Sequence, residues 1–179
     1  MTAWFGPFHN PTQLAGFTSF FAAAIAAGLA ARFASNPATR RHWGWIAAIQ
    51  LMLAAEVMLD LRYLAHDAID RTLSAFGVYE SRRPIQLVLL AIVALLAGWL
   101  VVRRWAAAYE SQYARAAEFA TFAALLDFAV ETVSLHQVDA VLYRSIGPVL
   151  LNGWLWTATA LAVVVSVLTE RWCKVVASA

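Results

Sequence analysis

The chain has 179 residues, of which 62% are hydrophobic and 13% charged, with a net charge of +2. A soluble surface usually carries about twice that charge, and a mean hydropathy of +0.65 excludes a disordered chain, a coiled coil, a disulfide scaffold and an ordinary soluble enzyme. No basic run is interleaved with aromatics, so nucleic acid is excluded as a partner. An all-α integral membrane protein is left, forming one domain over 1–179.

A bilayer core of roughly 30 Å takes about 20 apolar helical residues. By that measure the sequence predicts a bundle of five transmembrane helices. Span one, 14–31, is uncharged. The tail before it, MTAWFGPFHNPTQ, carries no Lys or Arg, so a retained span is expected rather than a secretory signal. Span two, 43–65, is interrupted by Glu56, Asp60 and Arg62. It is expected to run on into an amphipathic outer segment over 64–83, with Leu64, Ile69, Leu73 and Phe76 set among charges. Span three, 84–102, is uncharged, with Pro84 at a tolerated first-turn position. Span four, 116–135, carries Glu118, Asp127 and Glu131; Glu118 lies close enough to its end to be set aside. Span five, 145–169, is uncharged, and Cys173 beyond it reads as a membrane-edge residue.

Eight basic residues follow spans one, three and five, against five on the other side. The positive-inside rule then places the N-terminus outside and the C-terminus in the cytoplasm. Arg outnumbers Lys twelve to one beside abundant Ala, the usage of GC-rich bacterial genomes, so the expected location is a bacterial inner membrane. Membrane lipid is then the obligatory partner.

The informative residues are those that oppose insertion, since an acid at mid-helix costs about 2.5–3.5 kcal/mol. At about 100° per residue, Glu56, Asp60, Tyr63, Asp67 and Asp70 fall within an arc of roughly 80°, one stripe reaching outward from mid-span. Asp127 and Glu131 repeat the i, i+4 spacing at similar depth in span four. Asn152 of span five enters at a matching level, and Arg144 stands just before it. With His66 and His136 the four acids make up the ligand count of a di-iron or di-manganese carboxylate site. The i, i+5 spacing of Glu131 and His136 departs from the Glu-x-x-His pattern, and a smaller set of His66, Asp67 and His136 would suit copper or zinc. The expectation is therefore a polar site in the outer half of the bundle. Glu56, Asp60, His66, Asp127, Glu131 and His136 would bind a transition metal (Fe, Mn, Cu or Zn) or handle protons, with Tyr63, Asp67, Asn152 and Arg144 around them. The plainer reading is interhelical hydrogen bonding and pairing with Arg62, Arg82, Arg83 or Arg144. No nucleophile elbow, phosphate loop or paired cysteine assigns a reaction. That absence keeps open a non-catalytic subunit of a larger membrane complex, a homo-oligomer, or a small proton-coupled carrier.

The segments WGWIAAIQLMLAAEVMLDLRYLAHD, Tyr79-Glu80-Ser81-Arg82-Arg83-Pro84-Ile85-Gln86 and SLHQVDAVLYRSIGPVLLNGWLW resemble a group of bacterial polytopic inner-membrane proteins. The resemblance implies a multi-pass membrane protein and carries over no activity and no site residue.

Overall fold

The computed structural model describes residues 10–75, 82–105, 111–133 and 136–178. They are nearly all helical. Helix α1 spans Pro11–Arg32 and α2 spans Pro37–Leu59. Both open on the same Asn-Pro device. Asn10 Oδ1 accepts from the Thr12 amide at 3.0 Å and Asn36 Oδ1 from the Ala38 amide at 2.7 Å, while the following proline sits where no N–H is needed. Each helix therefore starts ahead of the apolar residues that mark spans one and two in the sequence.

Span two does not continue through residue 65. It stops at Asp60, whose φ of 51° and ψ of 37° are left-handed. A second helix, α3 (Leu61–Ala75), follows at once. Aspartate tolerates this conformation better than most residues, so the chain turns here without a glycine. The continuous acidic stripe expected from Glu56 to Asp70 is thus broken at its second member. The rest of the expected amphipathic segment, 76–81, lies outside the described residues, as do Ser134 and Leu135.

Helix α4 spans Arg82–Trp105 and α5 spans Gln112–Val133. The short α6 (His136–Leu142) leads into a hairpin of β1 (Ser145–Ile146) and β2 (Val149–Leu150). Ser145 pairs with Leu150 and Ile146 with Val149. Gly147 takes φ +67° at the turn, and Pro148 after it is held at negative φ, the combination a two-residue II′ turn requires. Span five accordingly starts at Leu151, not 145, and runs longer than expected as α7 (Leu151–Ser178).

Among the described residues three helices, not five, are long and apolar enough to cross a membrane: Pro11–Arg32, Pro37–Leu59 and Leu151–Val176. Span three reduces to a shorter apolar helix, Gln86–Trp99, inside α4. Helix α5 falls short because Arg115, Glu118, Asp127 and Glu131 are spread over its 22 residues. It is nonetheless built into the protein. Helix α1 packs along α2 and α7, α5 packs along α7, and α2 and α5 close the ring over a shorter stretch. Helix α4 lies outside, against α5.

Contacts along the helices fix their relative directions. Thr12 meets Leu150 at the start of α1 and α7, and Arg171 donates to the Leu29 carbonyl at their other ends, so α1 and α7 run parallel. His42 meets Ala114, and Gln50 meets Thr121, so α2 and α5 run parallel to each other and opposite to the first pair. The centre is filled by Phe20, Leu53, Val57, Phe128, Trp156 and Val163. Trp156 stacks on Phe128 with centroids 5.2 Å apart and planes 7° apart. Gly16 opposes the same indole: a β-carbon there would come within 2.4 Å of Trp156 Cε3. Close approach of α1 to α7 depends on that missing carbon.

Candidate functional site

The polar groups of the bundle collect at its two ends. At the Gln13 end, Asp60 Oδ2 accepts from Gln13 Nε2 at 2.7 Å. Glu131 Oε1 accepts from Asn152 Nδ2 at 2.5 Å and from the Tyr143 hydroxyl at 3.2 Å. Thr12 Oγ1 accepts from the Leu150 amide at 3.0 Å, fastening the hairpin to α1. A β-carbon on Gly153 would come within 2.7 Å of Thr12 Cγ2, so a side chain there would wedge this junction open. Asn152 is 1% exposed and Glu131 5%. The buried Asn152 Oδ1 has no hydrogen-bond partner among the described residues.

Of the four acids singled out by the sequence, Glu131 alone is buried; Glu56, Asp60 and Asp127 are half-buried. Helix geometry explains the difference. At about 100° per residue the buried positions of α2 (Trp43, Ile46, Gln50, Leu53, Val57) centre roughly 110° from Glu56. Those of α5 centre roughly 60° from Glu131 and 100° from Asp127. The i, i+4 pairs do share faces, as expected, but those faces flank the core instead of pointing into it. Asp67 is exposed and stands 3.8 Å from Arg71 one turn on, a surface pair of small energetic consequence. Arg144 is exposed, and its carbonyl accepts from the Leu151 amide at the base of the hairpin. The side chains of Tyr63, His66 and His136 lie outside the described residues. Among the described residues no three of His, Cys, Asp and Glu stand close enough to hold a metal ion together.

The opposite end holds groups that charge counting within the spans did not single out. His42 Nε2 lies 3.2 Å from the Ala114 carbonyl, which can only accept, so this nitrogen carries a proton. Its Nδ1 lies 3.8 Å from Glu118 Oε2, and Glu118 is buried, not the span-end residue it resembles in sequence. Glu170, also buried, accepts from Lys174 Nζ at 2.6 Å and from Ser111 Oγ at 3.1 Å. Between the two ends, Gln50 Nε2 donates to Thr121 Oγ1 at 3.1 Å across α2 and α5, both fully enclosed. Such a bond inside a membrane bundle contributes about 0.6 kcal/mol on average. Gln50 is uncharged and sits in an otherwise apolar run; its place on the α2 face shared with Trp43, Ile46, Leu53 and Val57 is the signal that marks it.

Beside His42 a groove of about 350 Å³ opens along the α2/α5 seam, lined by Arg41, Trp45, Ile49, Glu118 and Phe122 among others. A second groove of about 370 Å³ runs between α4 and α5 and also includes Phe122.

No protein-family description, curated protein or solved structure matches this chain.

Proposed function

We propose that this chain is a multi-pass protein of the bacterial inner membrane whose carboxylates at the Gln13 end exchange protons, with Glu131 as the central group. One observation carries the reading: a buried carboxylate whose Oε1 accepts from an amide and a hydroxyl. An amide has a donor and an acceptor end, and a hydroxyl can reverse its role. The set therefore serves an ionised or a protonated Glu131, and the open Asn152 Oδ1 leaves acceptor capacity to spare. In this reading Glu56, Asp60 and Asp127 take part from the same end of the bundle, with His66 of α3 and His136 of α6 as outer relays. In this reading α4 and α5 complete a five-helix membrane domain. The excess of Arg and Lys at the His42 end supports a cytoplasmic C-terminus.

Infrared difference spectroscopy of the detergent-solubilised protein, titrated through the neutral range, tests the proposal. A protonated-carboxyl band should appear as pH falls and should be missing from Glu131→Gln. Elemental analysis of the same sample separates protons from a metal. Stoichiometric Fe, Mn, Cu or Zn that is lost from Glu131→Gln would replace the proton reading with the metal one. A spectrum with no titrating band and no metal, together with co-migration with other subunits on a native gel, would make the acids structural parts of a larger complex.

A further inference from the structure

The groove at the α2/α5 seam has a polarity gradient. At its Arg41 end are Arg41, His42 and Glu118; toward mid-helix are Ile46, Ile49 and Phe122. From Arg41 to Ile49 is about 12 Å of helix. Trp45, between the two zones, is 66% exposed, as an interfacial anchor would be. Polar at the helix end and apolar toward the middle is the order in which a lipid of the same leaflet presents its headgroup and chains. Phe122 continues the apolar zone directly into the α4/α5 groove, whose lining, Val93, Leu96, Phe119 and Leu126 among it, has no charged member among the described residues.

We infer that these two grooves bind a single anionic phospholipid, its phosphate on Arg41 and its two acyl chains on either side of Phe122. Charge complementarity selects the headgroup. Arg41 is exposed, and its guanidinium is permanently charged. Glu118, the acid of this groove, is buried 3.8 Å from the His42 imidazole, whereas Arg41 is exposed to an incoming headgroup. The surrounding helix ends add Arg32, Arg40, Arg115 and Arg171, so the field at this end of the bundle is positive. The occupant is a lipid and not a soluble phosphate because the apolar lining is more than a headgroup can cover. The inference does not depend on Glu131; it needs only that the helices lie in a membrane.

The test uses the whole chain in mild detergent, with native mass spectrometry reading the lipid bound. Phosphatidylglycerol, phosphatidylcholine of the same chain length and inorganic phosphate are the three probes. Phosphatidylglycerol should be retained in preference to phosphatidylcholine, and inorganic phosphate should not be retained. Arg41→Ala, at an exposed position, should lower phosphatidylglycerol affinity about fivefold, the loss expected for one basic residue at an anionic headgroup, and leave phosphatidylcholine unchanged. Arg40→Ala is the control for diffuse charge, because Arg40 is held on the Ala34 carbonyl. Ala123→Trp, which fills the α4/α5 groove, should weaken both lipids. The inference is overturned if Arg41→Ala leaves the lipid preference intact, if Arg40→Ala lowers it equally, if inorganic phosphate binds as well as the lipid, or if Ala123→Trp changes nothing.

Discussion

Asp60 closes α2 in the left-handed region and anchors its side chain on Gln13. An alanine there faces the steric cost of that conformation, about 1–2 kcal/mol, and loses a hydrogen bond contributing about 1 kcal/mol. Asp60→Ala should therefore lower stability by about 2–3 kcal/mol, read as a drop in melting temperature in detergent. Asp60→Asn keeps both the left-handed tolerance and an acceptor for Gln13 and should cost far less. Equal losses for the two would show that the charge, not the backbone, is what matters at this position. A hydropathy window registers Asp60 only as an unwelcome charge; its positive φ is a property of the local backbone.

Glycines of the helices divide by what surrounds them. Gly16 lies against the Trp156 indole, and Gly16→Ala should destabilise the α1/α7 contact by about 1–3 kcal/mol through overpacking. Gly28, Gly44 and Gly98 have nothing within 4 Å of an added β-carbon, so alanine there should be neutral or stabilise by up to about 1 kcal/mol. Thermal melts of the four variants test the sorting, which fails if Gly28→Ala costs as much as Gly16→Ala. The elements themselves were partly legible in the sequence. Apolar runs located α1, α2 and α7, because burial in lipid demands them. The first turns of α1 and α2 were missed because Asn10-Pro11 and Asn36-Pro37 act through capping, not hydropathy. The hairpin at Gly147-Pro148 was absorbed into span five, since its residues are as apolar as a helix. The candidate site was half legible: Glu131 and Asn152 meet, as their depths implied, whereas Gln50, Thr121 and the His42–Glu118 pair depend on which face of α2 and α5 turns inward. That is decided by the neighbours and not by either helix alone.

At the scale of the molecule, α7 has 28 residues and a length of about 42 Å, more than the roughly 30 Å of an apolar core. Cys173, the chain's one cysteine, lies about 33 Å along it and is exposed. Under the proposed orientation, with the C-terminus in the cytoplasm, a membrane-impermeant maleimide should label Cys173 only after cells are permeabilised. Labelling of intact cells would invert the orientation. The parallel pairing of α1 with α7 has a further consequence, for synthesis. Thr12 and Leu150 are 138 residues apart in the chain. At about 5–20 residues per second, the ribosome needs roughly 7–28 s to deliver the second after the first. Throughout that interval α1 is already made while the indole that fits against Gly16 does not yet exist. The bundle therefore cannot close until α7 has been made, and a chain stopped before Trp156 would leave α1 without the indole that fits against Gly16.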